Sequence, residues 1–567
     1  MNIGIDFDNT IAQYVTSFGE VAMEEGIIDG NWECKGKTEL RDHLRRQPNG
    51  EKTWMKLQGL VYGKYMYRAE MFFGVANFLL KCKAQNHSVF IVSHKTEYGH
   101  FDPEKISLRQ EALKWMETKR FFDPEYFGLD MEDVFFADTR EEKINIIARL
   151  KCSWFIDDLP EVFEENHFPD SSQKILFGSY KPEQFKNITV LNSWRKISEK
   201  ILGQITNQDI VFWAKDIVDE SMENVEKILG RGNSTVYKID VPGEKSYVLK
   251  HYPDQLVDNR PRLETEFKAL QMLYEHGIKN VPQPIEKNCD LNLGLYEWIN
   301  GKKVDKPIVG DLDQAIQFAE KLYILSKQID GNHIGIASEA CLSAYELVSQ
   351  IENRYSRLNA QSNEHMELAI FLEEVFDPLW KKVKNESNSL WPEESRMQNL
   401  PRNKQTLSSS DFGFHNCVKA SDGSLTFLDF DYFGWDDPVK LTADFIWHPA
   451  MNLNIELKKK WNAAMLKLFS GDPYFEERLN AAMPLYGMRW ALIVLNEFLP
   501  ELAQKRRDAD GSKEYDLEKR QKIQLKKATQ YCERVKTRFS DSHSPDDRYI
   551  AIRSPCFESE KTSSGYL

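Results

Sequence analysis

The first 200 residues alternate short apolar runs with amphipathic segments, and this alternation constrains the fold more than any other feature of the chain. Strand-like runs stand at Asn2–Phe7, Ser88–Val92, Val134–Ala137, Trp154–Ile156 and Lys174–Phe177. Helical patterns such as Ala69–Ala84 and Glu141–Leu150 separate them. Strands that alternate with helices predict an α/β domain whose parallel sheet is covered on both faces. Residues 12–68 break the rhythm; mixed, charged and mostly helix-like, they read as a cap inserted after the first strand. Residues 193–225 are helical in pattern and poor in Gly and Pro, so 201–224 reads as a stiff junction. A new pattern begins near Val225, with strand-like runs Val225–Leu229, Thr235–Asp240 and Ser246–His251 before an amphipathic helix, Arg262–His276. Beyond about residue 310 the chain is mainly helical, broken by a strand-turn-strand at Asn416–Phe430. A length of 567 residues exceeds what one core serves. The expectation is two domains, 1–200 and 225–540, with a polar, disordered tail at 541–567.

Charge narrows the partners. The formal net charge is −14, which disfavours a nucleic-acid backbone or an anionic membrane. No run approaches the ~18 apolar residues a membrane helix needs, and the opening MNIGIDFDNT lacks the features of a signal peptide. The eight cysteines are scattered without a C-x-x-C pair, as expected of free thiols in a reducing, cytoplasmic compartment.

Chemistry gathers at the strand ends. Asp6-Phe7-Asp8-Asn9-Thr10 follows the first apolar run, and strand alternation puts Asp6 and Asp8 on one side. Open α/β sheets place ligands at that end. Two carboxylates there suit Mg²⁺ binding, nucleophilic attack and proton transfer. Ser93 follows the second run, Lys143 lies in the first turn of a helix signalled by the capping box Thr139-x-x-Glu142, and Asp157-Asp158 follow Trp154–Ile156. A hydroxyl and an ammonium beside several carboxylates suit a phosphate monoester. Singly, Lys143 also reads as a solvated first-turn lysine, and Asp158 as the cap of a helix opening at Pro160.

Taken in order, DFDNT, IVSHKT, TREEK and FIDD resemble the four motifs of the haloacid dehalogenase (HAD) superfamily over residues 1–200. The resemblance implies a Rossmann-like parallel sheet with a helical cap. It also implies an Asp6 nucleophile that forms an aspartyl-phosphate, Asp8 as general acid/base, and Ser93 and Lys143 on the phosphoryl group. Asp6, Asp8, Asp157 and Asp158 would hold Mg²⁺.

A second set of residues lies beyond 225. The turn Gly230-Arg231-Gly232-Asn233-Ser234 joins two strand-like runs and lets backbone N–H groups approach phosphates, though a plain hairpin turn has the same look. Lys250 ends the next run. In the following helix Glu266 falls inside the apolar stripe, whereas Glu264 falls outside it. An inward carboxylate needs a partner, and Lys250 is the candidate. Asp411 and Asn416 are five apart, and Asp429 follows a strand-turn-strand with Asp422-Gly423 at its turn. This is the spacing of a kinase catalytic loop followed by a metal-binding aspartate. Asp411 would accept the hydroxyl proton, with Asn416 and Asp429 holding Mg²⁺ on ATP; Asp431 reads as an auxiliary, His415 and Asp444 as structural.

This half resembles the aminoglycoside phosphotransferase and choline kinase superfamily over about residues 225–540, through GRGNSTVY, VLK, the Glu266 helix, LYEWINGKKV, SDFGFHN and LDFDYFGWDDPVKLTADF. The resemblance implies an α+β, protein-kinase-like bilobal domain with a largely helical second lobe. Gly230, Gly232, Ser234, Lys250 and Glu266 would serve ATP, and the hinge around Glu297–Ile299 would meet adenine. Where the family often has His two residues before the catalytic Asp, this chain has Ser409, and no A-P-E pattern follows Asp429; a small-molecule acceptor is therefore expected. The whole reads as a bifunctional phosphatase and small-molecule kinase, with sugar or surface-polysaccharide precursors as a fitting setting. One alternative makes one half a non-catalytic nucleotide- or ligand-binding module. A nucleic-acid end-healing kinase-phosphatase fits less well, since no G-x-x-x-x-G-K-[ST] is present. Aminoglycoside resistance would leave the phosphatase without a role.

Overall fold

Six parallel strands run in the spatial order Val134–Ala137, Ser88–His94, Asn2–Ile5, Trp154–Asp157, Gln173–Phe177, Thr189–Leu191. The computed structural model describes residues 1–540 apart from 30–35, 103, 216, 219–221, 229–233, 244, 254–257, 259, 332–333 and 504–515. Two compact units emerge. The first comprises Met1–Val225 with Pro253–Asn259 and Asn288–Leu293; the second comprises Glu226–Tyr252, Arg260–Lys287 and the chain from Gly294.

In the first unit the order of strands reverses beside Asn2–Ile5, whose neighbours are the second and fourth strands of the sheet in sequence. Such a switch point opens a crevice at the carboxyl ends of the strands. Ile3, Gly4 and Ile5 are all buried, as expected of a strand covered on both faces. Pairing continues to Asp6, whose N–H donates to Ile156 O at 2.9 Å. The chain then turns at Asn9, φ +58°, a left-handed conformation Asn tolerates. Ala12–Gln13 pairs antiparallel with Glu70–Met71, and this stem carries residues 14–69 as an insertion. The helices Ser17–Glu24, Lys37–Arg45 and Gly50–Tyr62 lie within it.

The structure corrects several boundaries. The helix expected over Ala69–Ala84 begins only at Val75, because Glu70–Met71 is a strand and Gly74 takes φ +89°. Thr189–Leu191 is a sixth strand, too short to announce itself by alternation. Among the described residues of 201–224, helix is confined to the end of Trp194–Leu202 and to Asn207–Ala214. The latter helix buries Ile210 and Trp213, and its Asp209 lies 3.2 Å from Lys81 Nζ. It is built into the first unit.

The second unit opens on a five-stranded sheet ordered Pro284–Asn288, Leu293–Glu297, Lys245–His251, Thr235–Val241, Asn224–Ile228. Thr235–Val241 and Lys245–His251 form a hairpin that pairs Val236 with Lys250. The helix Arg262–Glu275 follows, burying Leu263, Glu266, Leu270 and Leu273. The remainder is largely helical, with Val309–Gln328, Ala344–Asn359, Pro438–Trp447, Ile455–Leu468 and Phe475–Ile493 around an aromatic core. Phe445 stacks on Trp461 there at 3.8 Å between centroids. Cys417–Lys419 and Leu425–Phe427 form the expected strand-turn-strand, with Gly423 at φ +88°. No described helix is long and apolar enough to cross a membrane. No described cysteine is in a disulfide. The tail 541–567 lies outside the described residues.

Candidate functional site

Each unit brings a set of chemical side chains together. In the first, Lys143 Nζ lies 2.6 Å from Asp6 Oδ1 and 2.6 Å from Asp157 Oδ2, all three buried. Thr139 sets this lysine: its hydroxyl accepts from Glu142 N at 3.1 Å and starts the helix Arg140–Arg149. The reciprocal bond of a capping box is displaced by one residue, because Glu142 Oε2 accepts from Asp138 N at 2.8 Å. Asp157 Oδ1 accepts from Leu159 N at 2.9 Å. The helix from Pro160 has no side-chain cap, so Asp158 does not serve as one. Instead Asp6, Asp157 and Asp158 offer oxygens within 4.8 Å of one another.

Three carboxylates against one ammonium leave negative charge in excess. Burial, with Asp157 adding to it against the pull of Lys143, pushes the Asp6 carboxyl up to about 7. Burial and the charges of Asp6 and Asp157 push Asp158 up to about 8. Lys143 is held protonated: burial opposes its charge, but Asp157 and Asp6 outweigh it. An all-oxygen donor set with unbalanced negative charge fits a hard divalent cation such as Mg²⁺.

Asp8 is not among these oxygens. It sits one strand-period beyond Asp6, where the Tyr14 hydroxyl donates to its Oδ1 at 2.5 Å and Lys95 Nζ lies 2.8 Å from its Oδ2. Its carboxylate is held by those two partners, outside the cluster of Asp6, Asp157 and Asp158 oxygens. Ser93 is buried at the end of its strand. Lys95, missed in the sequence reading, was available from alternation, since Ser93 and Lys95 are two apart. Lys37 from the insertion donates to Asn9 Oδ1 at 3.2 Å and to the Tyr62 hydroxyl at 3.0 Å. No spacing connects Lys37, Tyr14 and Tyr62 to the motifs, so only the fold reveals them.

In the second unit Lys250 Nζ lies 2.6 Å from Glu266 Oε1 and 3.3 Å from Asp429 Oδ1. The other Glu266 oxygen accepts from the Tyr252 hydroxyl at 2.6 Å, and Tyr252 is bonded to Tyr296 at 2.7 Å. Burial opposes the charge of Lys250, yet Glu266, Asp429 and Asp431 hold it protonated. Glu264 turns outward to Lys287 and Lys268, as the helical stripe predicts. Asp429 adopts φ +67°, a strained conformation for a non-glycine residue that concentrates at functional sites. Asp431 is ion-paired to Arg262, which leaves it supporting the loop. Gly230 and Gly232 lie outside the described residues, and Ser234 precedes the strand Thr235–Val241. Glu297 N donates to Gln283 O at 2.9 Å, and Ile299 lies in the irregular segment that follows.

Asp411 and Asn416 meet as their spacing predicts: Asn416 Nδ2 donates to Asp411 O at 3.0 Å and lies 3.4 Å from Asp411 Oδ2. Leu428 N donates to Asn416 O at 2.8 Å, which ties the loop to the segment carrying Asp429. With its amide nitrogen on Asp411, Asn416 has its oxygen for other partners. That oxygen and the Asp429 carboxylate are the hard donors that Mg²⁺ prefers.

His415 does more than the sequence reading gave it. Its Nε2 is 3.0 Å from Asp411 Oδ1, and His448 Nε2 is 3.7 Å from the same oxygen. The two rings stack at 3.7 Å. Burial works against the Asp411 charge, but the bond from His415, with His448 and Lys440 nearby, holds the carboxyl well below the usual range. Burial and the neighbouring His415 push His448 down to about 3. Thirty-odd residues separate the two histidines, and no motif links them. Where a family His would prop the loop, the Ser410 hydroxyl donates to Ser338 O at 2.7 Å, and Lys440 Nζ donates to Ser410 O and Oγ at 3.1 and 2.7 Å.

Residues 225–477 match the model of the phosphotransferase enzyme family. No curated protein matches the chain. Among solved structures, it is similar to a spectinomycin phosphotransferase in complex with ADP and its antibiotic, at 12% identity and a TM-score of 0.38, over 58% of this chain and 98% of that one. It is also similar to an ethanolamine kinase from Plasmodium vivax, at 14% identity and a TM-score of 0.38, over 59% and 92%. A choline kinase from Streptococcus pneumoniae gives 14% identity and a TM-score of 0.36, over 58% and 98%.

Proposed function

We propose that the chain is a bifunctional enzyme, an ATP-dependent small-molecule kinase joined to a HAD-type phosphatase. The kinase reading is carried by one observation within the family-matched stretch: Lys250 bridges Glu266 and Asp429, at 2.6 and 3.3 Å. That geometry suits the grip on nucleotide phosphates. Asp411 takes the proton of the acceptor hydroxyl as its oxygen bonds to the γ-phosphorus and ADP leaves. Low proton affinity keeps Asp411 ionised at neutral pH, so it works by orienting the hydroxyl and collecting the proton late. Asn416 and Asp429 would hold Mg²⁺, which would offset phosphate charge. The proposed adenine contact is the segment around Glu297–Ile299, and Gly230, Gly232 and Ser234 belong to the proposed phosphate loop.

The phosphatase reading is carried by Lys143 between Asp6 and Asp157, both at 2.6 Å. Asp6 attacks phosphorus to form an aspartyl-phosphate while Asp8 protonates the departing alkoxide. Asp8 then takes the proton of the water that hydrolyses the acyl-phosphate. Ser93 and Lys143 hold phosphoryl oxygens. Asp6, Asp157 and Asp158 would hold Mg²⁺, which would offset the charge those oxygens carry. A hydroxyl phosphorylated in one step and a phosphoester cleared in another suit sugar-precursor metabolism.

The reading in which the second half only binds ligand takes its motive from Ser409. The Ser410–Ser338 and Lys440–Ser410 bonds speak against it, because they supply the support that Ser409 cannot. The test is Mg²⁺-dependent turnover: phosphate release from p-nitrophenyl phosphate, and ADP formation from ATP with a panel of sugars, amino alcohols and acidic hydroxy compounds. An ATP-binding protein that forms no ADP with any acceptor would refute the kinase reading. Phosphate release that survives Asp6→Asn would refute the phosphatase reading.

A further inference from the structure

Beside the Asp411 loop two guanidinium groups converge. Gln350 Nε2 donates to Ala340 O at 2.8 Å, which sets the helix Ala344–Asn359 against the segment 337–341. Arg354, one turn further on the same face, donates to Asn496 Oδ1 at 3.1 Å. Asn496 lies two helical turns beyond Arg489. Arg489 in turn reaches Glu339 Oε2 at 3.3 Å and Asp444 Oδ2 at 3.4 Å. The pair lies close to the proposed base: Trp490 donates to Asp444 at 2.8 Å and stands edge-on to His448 at 4.7 Å, while His448 faces Asp411.

Charge there is unevenly met. Lys440 and Asp436 lie 3.2 Å apart in the core as an ion pair. Asp444 is shared among Lys440, Arg489 and Trp490. Among the described residues Arg354 has Asn496, a neutral group, as its hydrogen-bond partner and no carboxylate at ion-pair distance. Among the described residues the buried Nε of Arg489 has no hydrogen-bond partner. Burial and the charge of Arg489 push Arg354 down to about 10, the response of a cation crowded by another. The carboxylate on the outer side, Glu339, is 45% exposed and sits at φ +62°. An anion reaching Arg489 from that side would compete with Glu339 for the guanidinium.

We propose that Arg354 and Arg489 form an anion subsite of the acceptor pocket, so that the alcohol phosphorylated here already carries a carboxylate or a phosphate. This rests on the kinase reading for the word acceptor, but the subsite can be tested without turnover. A guanidinium pair recognises either oxyanion in fork geometry; a cationic amino alcohol would meet repulsion.

Titration calorimetry on the full chain, without ATP, compares glycerol phosphate and gluconate with glycerol and ethanolamine. At least one acidic compound is expected to bind about tenfold or more tightly than both others, and which one does so separates phosphate from carboxylate. Arg354→Gln is expected to remove that preference, Arg354→Lys to restore part of it, and Glu339→Gln to strengthen it severalfold. An acidic preference lost in Arg354→Gln, with no ADP formed under turnover conditions, would sustain the subsite while sinking the kinase reading. The proposal is overturned if neither acidic compound is preferred. It is also overturned if the preference survives Arg354→Gln in a variant that melts as the wild type does.

Discussion

Asp411 is held by neighbours that the linear motif does not contain. Burial alone would raise its carboxyl; the hydrogen bond from His415 and the nearby His448 and Lys440 reverse that. A carboxyl whose folded value is depressed contributes stability above the usual range and loses it as pH falls through the folded value. On the proposed kinase reading, Asp411 therefore stays ionised across neutral pH. His415→Ala should leave burial less opposed, so the acid limb of kcat/KM for ADP formation should move upward. The measurement is the ratio of rates at pH 6 and pH 8: near unity for wild type and several-fold lower for the variant. An unchanged ratio would mean His415 does not tune Asp411.

Lys143 supports a second residue-level prediction. Removing one member of a buried charged group costs about 3–5 kcal/mol because the partners are left uncompensated. Here Asp6, already raised to about 7, can take up a proton instead, so Lys143→Ala should destabilise the first unit more at pH 8 than at pH 5. Denaturant melts at the two pH values read this directly. Glu266 shows how much of a site one residue's helical position discloses. Its place in an apolar stripe required an inward partner, and Lys250 stands 2.6 Å away. Asp8 shows the limit. Alternation placed it beside Asp6 but said nothing of Tyr14 and Lys95, which claim its carboxylate.

At the level of elements, strand ends do most of the placing. Asp6, Ser93 and Asp157 each lie at or next to the carboxyl end of a parallel strand, and the helix begun by Thr139 brings Lys143 to them. Thr139→Ala should cost about 1 kcal/mol through loss of the N-cap. It should also lower phosphate release several-fold by loosening Lys143, while ADP formation stays unchanged. An equal fall in both activities would contradict that assignment. Long amphipathic helices and apolar strands were legible because their periods are strong. The two-residue stem Ala12–Gln13 with Glu70–Met71 was not, since pairs that short carry no period. Nor was the strand Thr189–Leu191. The His415–His448 stack belongs to tertiary packing, which linear spacing does not encode.

Across the whole molecule, two compact units each carry a candidate site. In the first, Asp6 and Asp158 are raised to about 7 and about 8. The folded state therefore binds more protons than the unfolded chain from about pH 4 to about 8, and metal-free stability falls as pH rises through that window. Mg²⁺ should reverse the loss. The melting temperature of the first unit should rise with Mg²⁺ by several degrees at pH 8 and by less at pH 6, an effect absent in Asp158→Asn. Equal shifts at both pH values would place the ion elsewhere.

The most direct measurement of the central claim assays both activities on the same preparations of wild type, Asp6→Asn and Asp411→Asn, with Mg²⁺, p-nitrophenyl phosphate, and ATP with whichever panel acceptor the wild type turns over. The account predicts that Asp6→Asn loses phosphate release by at least about a thousandfold and keeps ADP formation. Asp411→Asn should do the reverse. Loss of both activities in either variant, or survival of either activity in the variant meant to remove it, would contradict two independent active sites in one chain.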